Sequence, residues 1–219
     1  MELYEQLLEE EYIKNIYSSI ENNPRIPISH GIHHILNVVE YCKRLSEIFG
    51  LNERERETLL VAAVMHDVAQ VFLQPNHAKN GAFIAKEMLE QNETIDPVYI
   101  KKCVDIDRVC KIIESHGGKK EEDYEDKLSC FLILADKLDI TKDRLREKYK
   151  LYDFLWYMEC VEKVDLKLIE NTLNINIFTN KKCSFDDLND KKGLDKVIKI
   201  LEKFSKKMHV DYLINIKHF

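Results

Sequence analysis

A histidine and an aspartate stand side by side at the end of an apolar run, in the segment AAVMHDVAQ (62–70). Ionisable groups beside a hydrophobic core are costly unless something pairs with them. Two interpretations are open for His66 and Asp67: the end of a helix that reaches solvent, or a metal site. The dipeptide alone does not decide between them, so the choice depends on the partners that the rest of the chain supplies.

The segment SHGIHHILNVVEYCKRLSEIFG (29–50) supplies the first candidate partner. With Ser29 as the predicted N-cap, His34 lies one turn before Val38 on the apolar stripe of a helix. His33 falls on the polar side of that helix, and His30 shares the face of His34 if the helix begins early enough. Alone, His34 is better explained as a hydrogen-bonded histidine at the edge of the core than as a metal ligand.

Two more histidines follow in helix-like segments. In NHAKNGAFIAKEML (76–89), His77 shares a face with Gly81, which allows a ligand or another backbone to approach closely. In DRVCKIIESHGG (107–118), His116 lies on the apolar stripe, in the last turn before two glycines. Alone, His77 is explained as a surface histidine at a helix start, and His116 as a protonated residue favoured by the C-terminal end of a helix.

Asp136 is the most informative residue, because it lies within the long apolar run KLSCFLILADKLDI (127–140). Helical spacing puts it on one face with Leu132 and Ile133. An ionised carboxylate in that position needs a cation or several hydrogen-bond donors. Asp139, three residues further on, is predicted at a neighbouring and wetter position.

Inward-facing ionisable residues therefore come from five predicted helices, which a single cause explains better than five coincidences. They are His34, His66, Asp67, His77, His116 and Asp136. Histidine nitrogens and carboxylates are the ligands of divalent Fe, Mn, Zn and Ni. One open catalytic metal needs only three or four of them, so the set predicts two metals per chain that share Asp67 as a bridge. This requires the rings of His77 and His116 to lie within about 8 Å of the Asp67 carboxylate.

The order of these residues is similar to the H…HD…D signature of the HD superfamily of metal-dependent phosphohydrolases, over roughly residues 28–145. HHILNVVEYC resembles the first motif of the family, in which the ligand precedes a valine by four residues, and this selects His34 over His33. LLVAAVMHDVAQ resembles the HD motif, and LILADKLD resembles the last motif, with Asp136 as the ligand. The segments around His77 and His116 resemble two further motifs of members that hold two metals, among them the bacterial diadenosine tetraphosphate hydrolases.

The resemblance implies that the metals activate a water for attack on a phosphate ester or phosphoanhydride of a nucleotide-like small molecule, with Asp67 and His66 as catalytic residues. Many two-metal members continue HD-x-x-K, where this chain has Gln70, which donates a hydrogen bond but carries no charge. Phosphate must then depend on the metals and on other groups. The candidates for contact with the substrate are Gln70, His30, Lys79, Lys119, Lys120 and Lys137.

Two other functions stay open at this point. Some HD-fold proteins use a di-iron pair as an oxygenase, and the same six ligands would serve such a pair. A nucleotide-sensing binding module with little turnover is the second alternative. The intact ligand set argues mildly against the second, since binding alone does not need two open metal sites.

The elements that must position these residues are predominantly helical. Residues 1–155 show apolar spacings of three and four, which predict successive helices, and the resemblance implies that these form an HD-domain helical bundle. Residues 156–219 change pattern: VDLKLIENTLNINIF and DYLINIK alternate as strands do, with an amphipathic helix between them. The fold class is therefore mainly α, with a small C-terminal appendage of antiparallel strands and one helix. Its exposed sheet edges predict a homodimer through residues 161–219.

Bulk properties narrow the partners and the compartment. The 219 residues carry a net charge of −6, which argues against a surface for long nucleic acids but permits a small phosphorylated substrate at a metal. The acidic start MELYEQLLEEEY is unlike a signal peptide, and no apolar run is long enough to span a membrane. The six cysteines include no CxxC pair. We therefore expect a cytoplasmic protein with reduced thiols and no membrane partner.

Overall fold

The computed structural model describes residues 1–26, 28–72, 76–146, 156–180 and 194–218 and places ten α-helices and three β-strands there. The helices are α1 (Leu3–Glu9), α2 (Glu11–Glu21), α3 (Ile32–Ile48), α4 (Glu53–Met65), α5 (His77–Glu90), α6 (Pro97–Cys103), α7 (Ile106–Ser115), α8 (Lys127–Leu138), α9 (Trp156–Cys160) and α10 (Asp195–Met208). The strands are β1 (Val161–Ile169), β2 (Thr172–Thr179) and β3 (Asp211–His218). The mainly α fold with a small C-terminal α/β part is thus confirmed.

Polar side-chain caps fix the starts of α4, α7 and α8, three of the five helices that position the candidate ligands. The side chain of Asn52 accepts a hydrogen bond from the backbone of Glu55 and so begins α4. Asp105 and Asp126 begin α7 and α8 in the same way. Each cap satisfies a backbone N–H group that would otherwise lack a partner, which fixes the register of the helix behind it.

The start of α3 differs from the prediction, because Gly31 and not Ser29 is its N-cap. The backbone N–H of Ser29 donates to the carbonyl oxygen of Arg144 at 2.7 Å, and Ile28 pairs with Leu145 in an isolated β-bridge. These contacts hold the chain before α3 in a bridged conformation. His30 consequently lies outside the helix and does not share a helical face with His34.

Helices α4 and α8 form the centre of the helical part. Residues 59–65 of α4 and nearly all side chains of α8 are buried, as expected for helices enclosed by others. Helix α4 packs against α1, α3, α7 and α8, and α5 packs against α7. The C-terminal ends of α4 and α8, where His66, Asp67 and Asp136 lie, are therefore inside the molecule.

The C-terminal sheet has the order β1-β2-β3. Strands β1 and β2 form an antiparallel hairpin through the predicted turn at residues 170–171. Strand β3 pairs with β2 in parallel, so the prediction of an all-antiparallel sheet is wrong for this pair. The reason is that α10 lies between β2 and β3 in the chain, and a crossover of this kind returns the chain to run in the same direction.

Helix α10 joins the C-terminal segment to the rest of the core. Its predicted apolar stripe packs against α8, and most buried hydrophobic residues of the described ranges form one cluster that extends from Leu3 to Val210, with Leu145 and Met158 in a second, small cluster. The predicted division into 1–155 and 156–219 stays a prediction. Residues 147–155, before that boundary, and Cys183 lie outside the described residues.

Two further expectations concern surfaces. Among the residues that the structure describes, no single helix combines the length and the apolar character needed to cross a membrane. Strands β1 and β3 form the two edges of the sheet, and the homodimer through this segment stays a prediction.

Candidate metal centre

The six residues predicted as metal ligands come together where the ends of five helices meet. His34 lies in the first turn of α3, and His77 is the first residue of α5. His66 and His116 are the C-caps of α4 and α7, and Asp136 lies in the last turn of α8. The structure thus brings together side chains that are up to 102 positions apart in the sequence.

His34, His66 and Asp136, here called the inner group, are all buried. One ligand atom of each lies within 4.8 Å of those of the other two. The Nε2 atom of His34 is 3.4 Å from Oδ1 of Asp136. Three nitrogen and oxygen ligands at this spacing can contact one divalent ion with bonds of about 2 Å.

His77 and His116, here called the outer group, lie on the other side of Asp67. Their Nε2 atoms are 3.2 Å apart, and the ligand atoms of His77, His116 and Asp67 all lie within 4.8 Å of one another. His116 is buried and His77 is half-buried. The distance that a two-metal arrangement requires between these rings and Asp67 is therefore met.

Asp67 presents one carboxylate oxygen to each group. Its Oδ2 atom is 3.3 Å from Nε2 of His66 and 3.6 Å from Nε2 of His34. Its Oδ1 atom is 3.7 Å from Nε2 of His116. The two oxygens of one carboxylate thus face two separate sets of histidine nitrogens.

Hydrogen bonds at Nδ1 orient three of the four histidines. Nδ1 of His66 lies 2.9 Å from the carbonyl oxygen of Ala63, and Nδ1 of His116 lies 2.6 Å from that of Ile113. Since a carbonyl only accepts, Nδ1 carries the proton in both rings and the lone pair is on Nε2. Nδ1 of His34 donates to Asp139 in the same way. This arrangement is typical of histidines that bind metals.

Two of these nitrogens are buried without a partner. In the described part of the chain, Nε2 of His34 and Nε2 of His66 form no hydrogen bond. A buried polar atom left unsatisfied destabilises a fold. A cation at the inner group would satisfy both lone pairs, so the donor set fits a divalent metal.

The electrostatics of the outer group keep its histidines neutral. Burial, and after it the neighbouring His66, lower the pKa of His116 to about 3, and burial lowers the pKa of His77. Burial alone would raise the pKa of Asp67, but the facing histidines, His66 first, hold it well below its usual range. Neutral imidazoles beside an ionised carboxylate are the protonation states that bind metals.

The inner group contains the opposite shift. Burial and Arg144 act to lower the pKa of His34, but the surrounding carboxylates of Asp136, Asp139 and Asp67 outweigh them and raise it to about 9. Burial acts to raise the pKa of Asp136, yet Lys137 and His34 hold it well below its usual range. The carboxylates around His34 thus stabilise a positive charge at this position, which either a proton or a metal ion can supply.

Gly81 allows α5 to approach the end of α4. A Cβ atom at this position would lie 3.3 Å from the carbonyl oxygen of His66 and 3.4 Å from Cγ2 of Ile113. Of the two possibilities given by the sequence for Gly81, a ligand or another backbone, the structure therefore shows another backbone. The approach helps to bring His77, one turn earlier on the same face, toward Asp67.

Asp139 corrects a prediction, since it is completely buried and not wetter than Asp136. Its Oδ2 atom lies 2.6 Å from Nδ1 of His34, and its Oδ1 atom accepts from Asn37 and Thr141, each at 3.1 Å. Helix α8 ends at Leu138, so the helical phase used for the prediction does not extend to Asp139. Asp139 orients His34 from outside the ligand set.

Arg144 is a second residue that sequence reasoning missed. Its guanidinium donates to the backbone carbonyl oxygens of Ser29 at 3.0 Å and Asp139 at 2.9 Å, and so ties the segments before α3 and after α8 together. His30, predicted to contact the substrate, is placed with Nδ1 2.6 Å from Oδ2 of Asp67. His30, His34 and Asp67 form a third group of ligand atoms within 4.8 Å.

Comparison with protein families identifies the domain in which these residues lie. The family model for the HD domain matches residues 31–141, a stretch that spans just over half of the chain and contains all six predicted ligands. The chain belongs to the HD domain family. No curated protein sequence matches the chain.

Among solved structures, the HD chain is similar to a crystal structure described as a predicted HD superfamily hydrolase from an uncultured Thermotogales bacterium. The two are 21% identical, the match covers 68% of this chain and 87% of the other, and the TM-score is 0.44. A likeness at this level carries no argument about activity.

Beside the HD motif, the candidates for contact with a substrate divide into two sets. Nε2 of Gln70 lies 3.4 Å from Oδ1 of Asp67, and Lys137 forms an ion pair with Asp136. Both therefore adjoin the predicted ligands. Lys79, Lys119 and Lys120 are exposed, and the described contacts place none of their side chains against the ligand set.

Proposed function

We propose that this HD-domain chain is a metal-dependent phosphohydrolase that cleaves a phosphate ester or phosphoanhydride in a nucleotide-like small molecule. The observation that carries the proposal is the position of Asp67, with Oδ2 3.3 Å from Nε2 of His66 and Oδ1 3.7 Å from Nε2 of His116. A carboxylate with one oxygen toward each of two histidine sets is suited to bridge two divalent ions.

In this proposal His34, His66 and Asp136 would hold one ion, His77 and His116 would hold the other, and Asp67 would be a ligand of both. When bound, two such ions supply Lewis acidity toward phosphoryl oxygens and lower the pKa of a water. Asp67 and Asp136 remain ionised because neighbouring positive charges hold their pKa values low. The main contribution of the chain to the reaction is then a set of ligands that are buried and correctly oriented.

Gln70, beside Asp67, would contribute only one uncharged hydrogen bond to the binding of an anionic substrate. Its side-chain amide, 3.4 Å from Oδ1 of Asp67, can donate a hydrogen bond to a phosphoryl oxygen. It supplies no charge. In the proposed reaction the negative charge of the phosphate is balanced by the ions and by cations on other elements.

The support for a nucleotide-like substrate comes from aromatic side chains beside the outer group. Phe72 and Phe83 are exposed and, with Asn80 and Ile84, line an open cavity of about 340 Å³. Helix α5 carries both His77 and Phe83, so the cavity begins within two helical turns of the outer group. Exposed aromatic faces stack on nucleobases.

The test begins with the metal content of protein purified without chelator, measured by inductively coupled plasma mass spectrometry. Phosphate release is then measured with that metal over nucleoside mono-, di- and triphosphates, dinucleoside tetraphosphates and sugar phosphates. Metal-dependent release from a nucleotide supports the proposal. Negligible release with measurable nucleotide affinity favours a binding module, and an O₂-dependent reaction of bound iron favours an oxygenase.

A further inference from the structure

Helix α10 brings a lysine of the C-terminal segment to the rim of the metal centre. Helix α10 packs along α8, and its C-terminal half lies beside residues that precede α8: Nζ of Lys203 is 3.0 Å from Oε1 of Glu121 and 4.7 Å from the ring of Tyr124. The two helices therefore run in opposite directions. The N-terminal end of α10, with Lys196 in its first turn, consequently lies toward the end of α8 that carries Asp136.

Several positive charges surround Lys196 there. Lys137 lowers the pKa of Lys196 most, followed by burial, and Arg144 and Lys119 add to the effect while Asp136 opposes it. Asp136 is already paired with Lys137. Within the described ranges, neither Lys119 nor Lys196 forms an ion pair of its own, and both side chains reach solvent although neighbouring residues crowd Lys196.

Two lysines without an ion pair, Lys196 and the Lys119 that acts on its pKa, are notable in a chain with a net charge of −6. Like charges held close together repel one another, and an anion placed among them removes that repulsion. Asp136 acts on Lys196, as the antiparallel packing of α10 and α8 leads us to expect, so Lys196 lies on the side of the inner group. Gln70, next to Asp67, provides no positive charge on its side of the centre.

We propose that Lys196, flanked by Lys119, binds a second anionic group of the substrate, adjacent to the phosphate held at the metal centre. The C-terminal segment is then part of the substrate pocket, and the preferred substrates carry linked phosphates instead of a single one. This inference rests on the proposed function, because it presumes a phosphate at the centre. A lysine ammonium suits the role as a compact charge with three rotatable donors.

The test measures binding to the Mn²⁺-loaded full chain by isothermal titration calorimetry. The probes are methylenediphosphonate, which has two linked phosphonates and is not hydrolysed, and inorganic phosphate. Metal content is measured after each titration to show that the probe has not removed the ions. The variants are Lys196→Gln and the matched control Lys206→Gln, an exposed lysine of the same helix about 15 Å further along it.

We expect Lys196→Gln to weaken binding of methylenediphosphonate about tenfold, as for the loss of one charged hydrogen bond. Binding of inorganic phosphate should change less than twofold, and Lys206→Gln should match wild type with both probes. Lys196→Arg should restore most of the lost affinity, because it restores the charge.

Equal affinity of Lys196→Gln and wild type for methylenediphosphonate would overturn the inference, as would an equal loss for both probes or no binding of either by wild type. A different result would contradict the proposed function. Lysine-dependent binding of the diphosphonate without any phosphate release would leave the anion site standing and remove the hydrolase. Phosphate release with no effect of Lys196→Gln would do the reverse.

Discussion

The two groups of ligands on either side of Asp67 differ in how firmly the fold holds them. In the inner group, His34 and Asp136 are buried, and Nδ1 of His34 is held by Asp139, a carboxylate that has its own donors. In the outer group, a single backbone carbonyl orients His116, and His77 is half-buried at the start of α5. A site whose ligands are fixed before binding loses less entropy when the ion arrives. We therefore expect the inner group to bind its ion more tightly and the outer group to exchange its ion more readily.

The largest expected effect comes from removing the residue common to both groups. Asp67→Ala should lose both ions and reduce phosphate release by about three orders of magnitude, equivalent to about 4 kcal/mol of barrier. The reason is that its two oxygens face the two groups separately. Metal content and turnover measured on the same sample test this, and two retained ions with full turnover would refute the bridging role.

The comparison also shows what the sequence could predict. Helical periodicity identified His34 over His33, because both lie inside α3, where 3.6 residues per turn decides which side chain is buried. The same argument found Asp136 within α8. These residues could be predicted because, within one helix, the positions of the apolar residues show which face is buried and therefore which polar side chains lie on that face.

Asp139 and Arg144 follow the end of α8 and were out of reach of that argument. Asp139 follows the end of α8 and contacts His34, 105 positions away, so no local pattern links the two. Arg144 ties together two loop segments 115 positions apart. The direction of β3 was missed for a related reason: alternation of apolar and polar residues identifies a strand but contains no information on which way it runs.

The second prediction tests the inner group. His34→Ala should lose the inner ion and most of the activity, because Nε2 of His34 is one of its nitrogen ligands in the proposed arrangement. His33→Ala is the matched control, since His33 is adjacent in the chain but exposed. It should keep wild-type metal content and turnover. Loss of metal in His33→Ala with retention in His34→Ala would mean that the ligand has been assigned to the wrong residue.

The third prediction tests the outer group. His77→Ala should retain the inner ion and lose the outer one, so that metal content falls from two ions per chain to one. The effect is smaller because the half-buried His77 supports only one of the two ions. A titration of the wild-type protein with chelator should show the same order, with the first ion removed more easily than the second. Loss of both ions together in His77→Ala would show that the groups are not separable.

The smallest expected effect concerns Asp139, which separates the groups most sharply because only the inner one depends on it. Its Oδ2 atom accepts from Nδ1 of His34 and its Oδ1 atom accepts from Asn37 and Thr141. An asparagine has one oxygen and one NH₂ group, so Asp139→Asn must direct a donor at His34 or at the other two donors. Losing such an orienting partner weakens metal binding by about 10- to 100-fold. The exposed Asp143→Asn is the control in the same segment. Competition with a chelator measures the affinity, and the prediction fails if Asp139→Asn holds the inner ion as tightly as Asp143→Asn does.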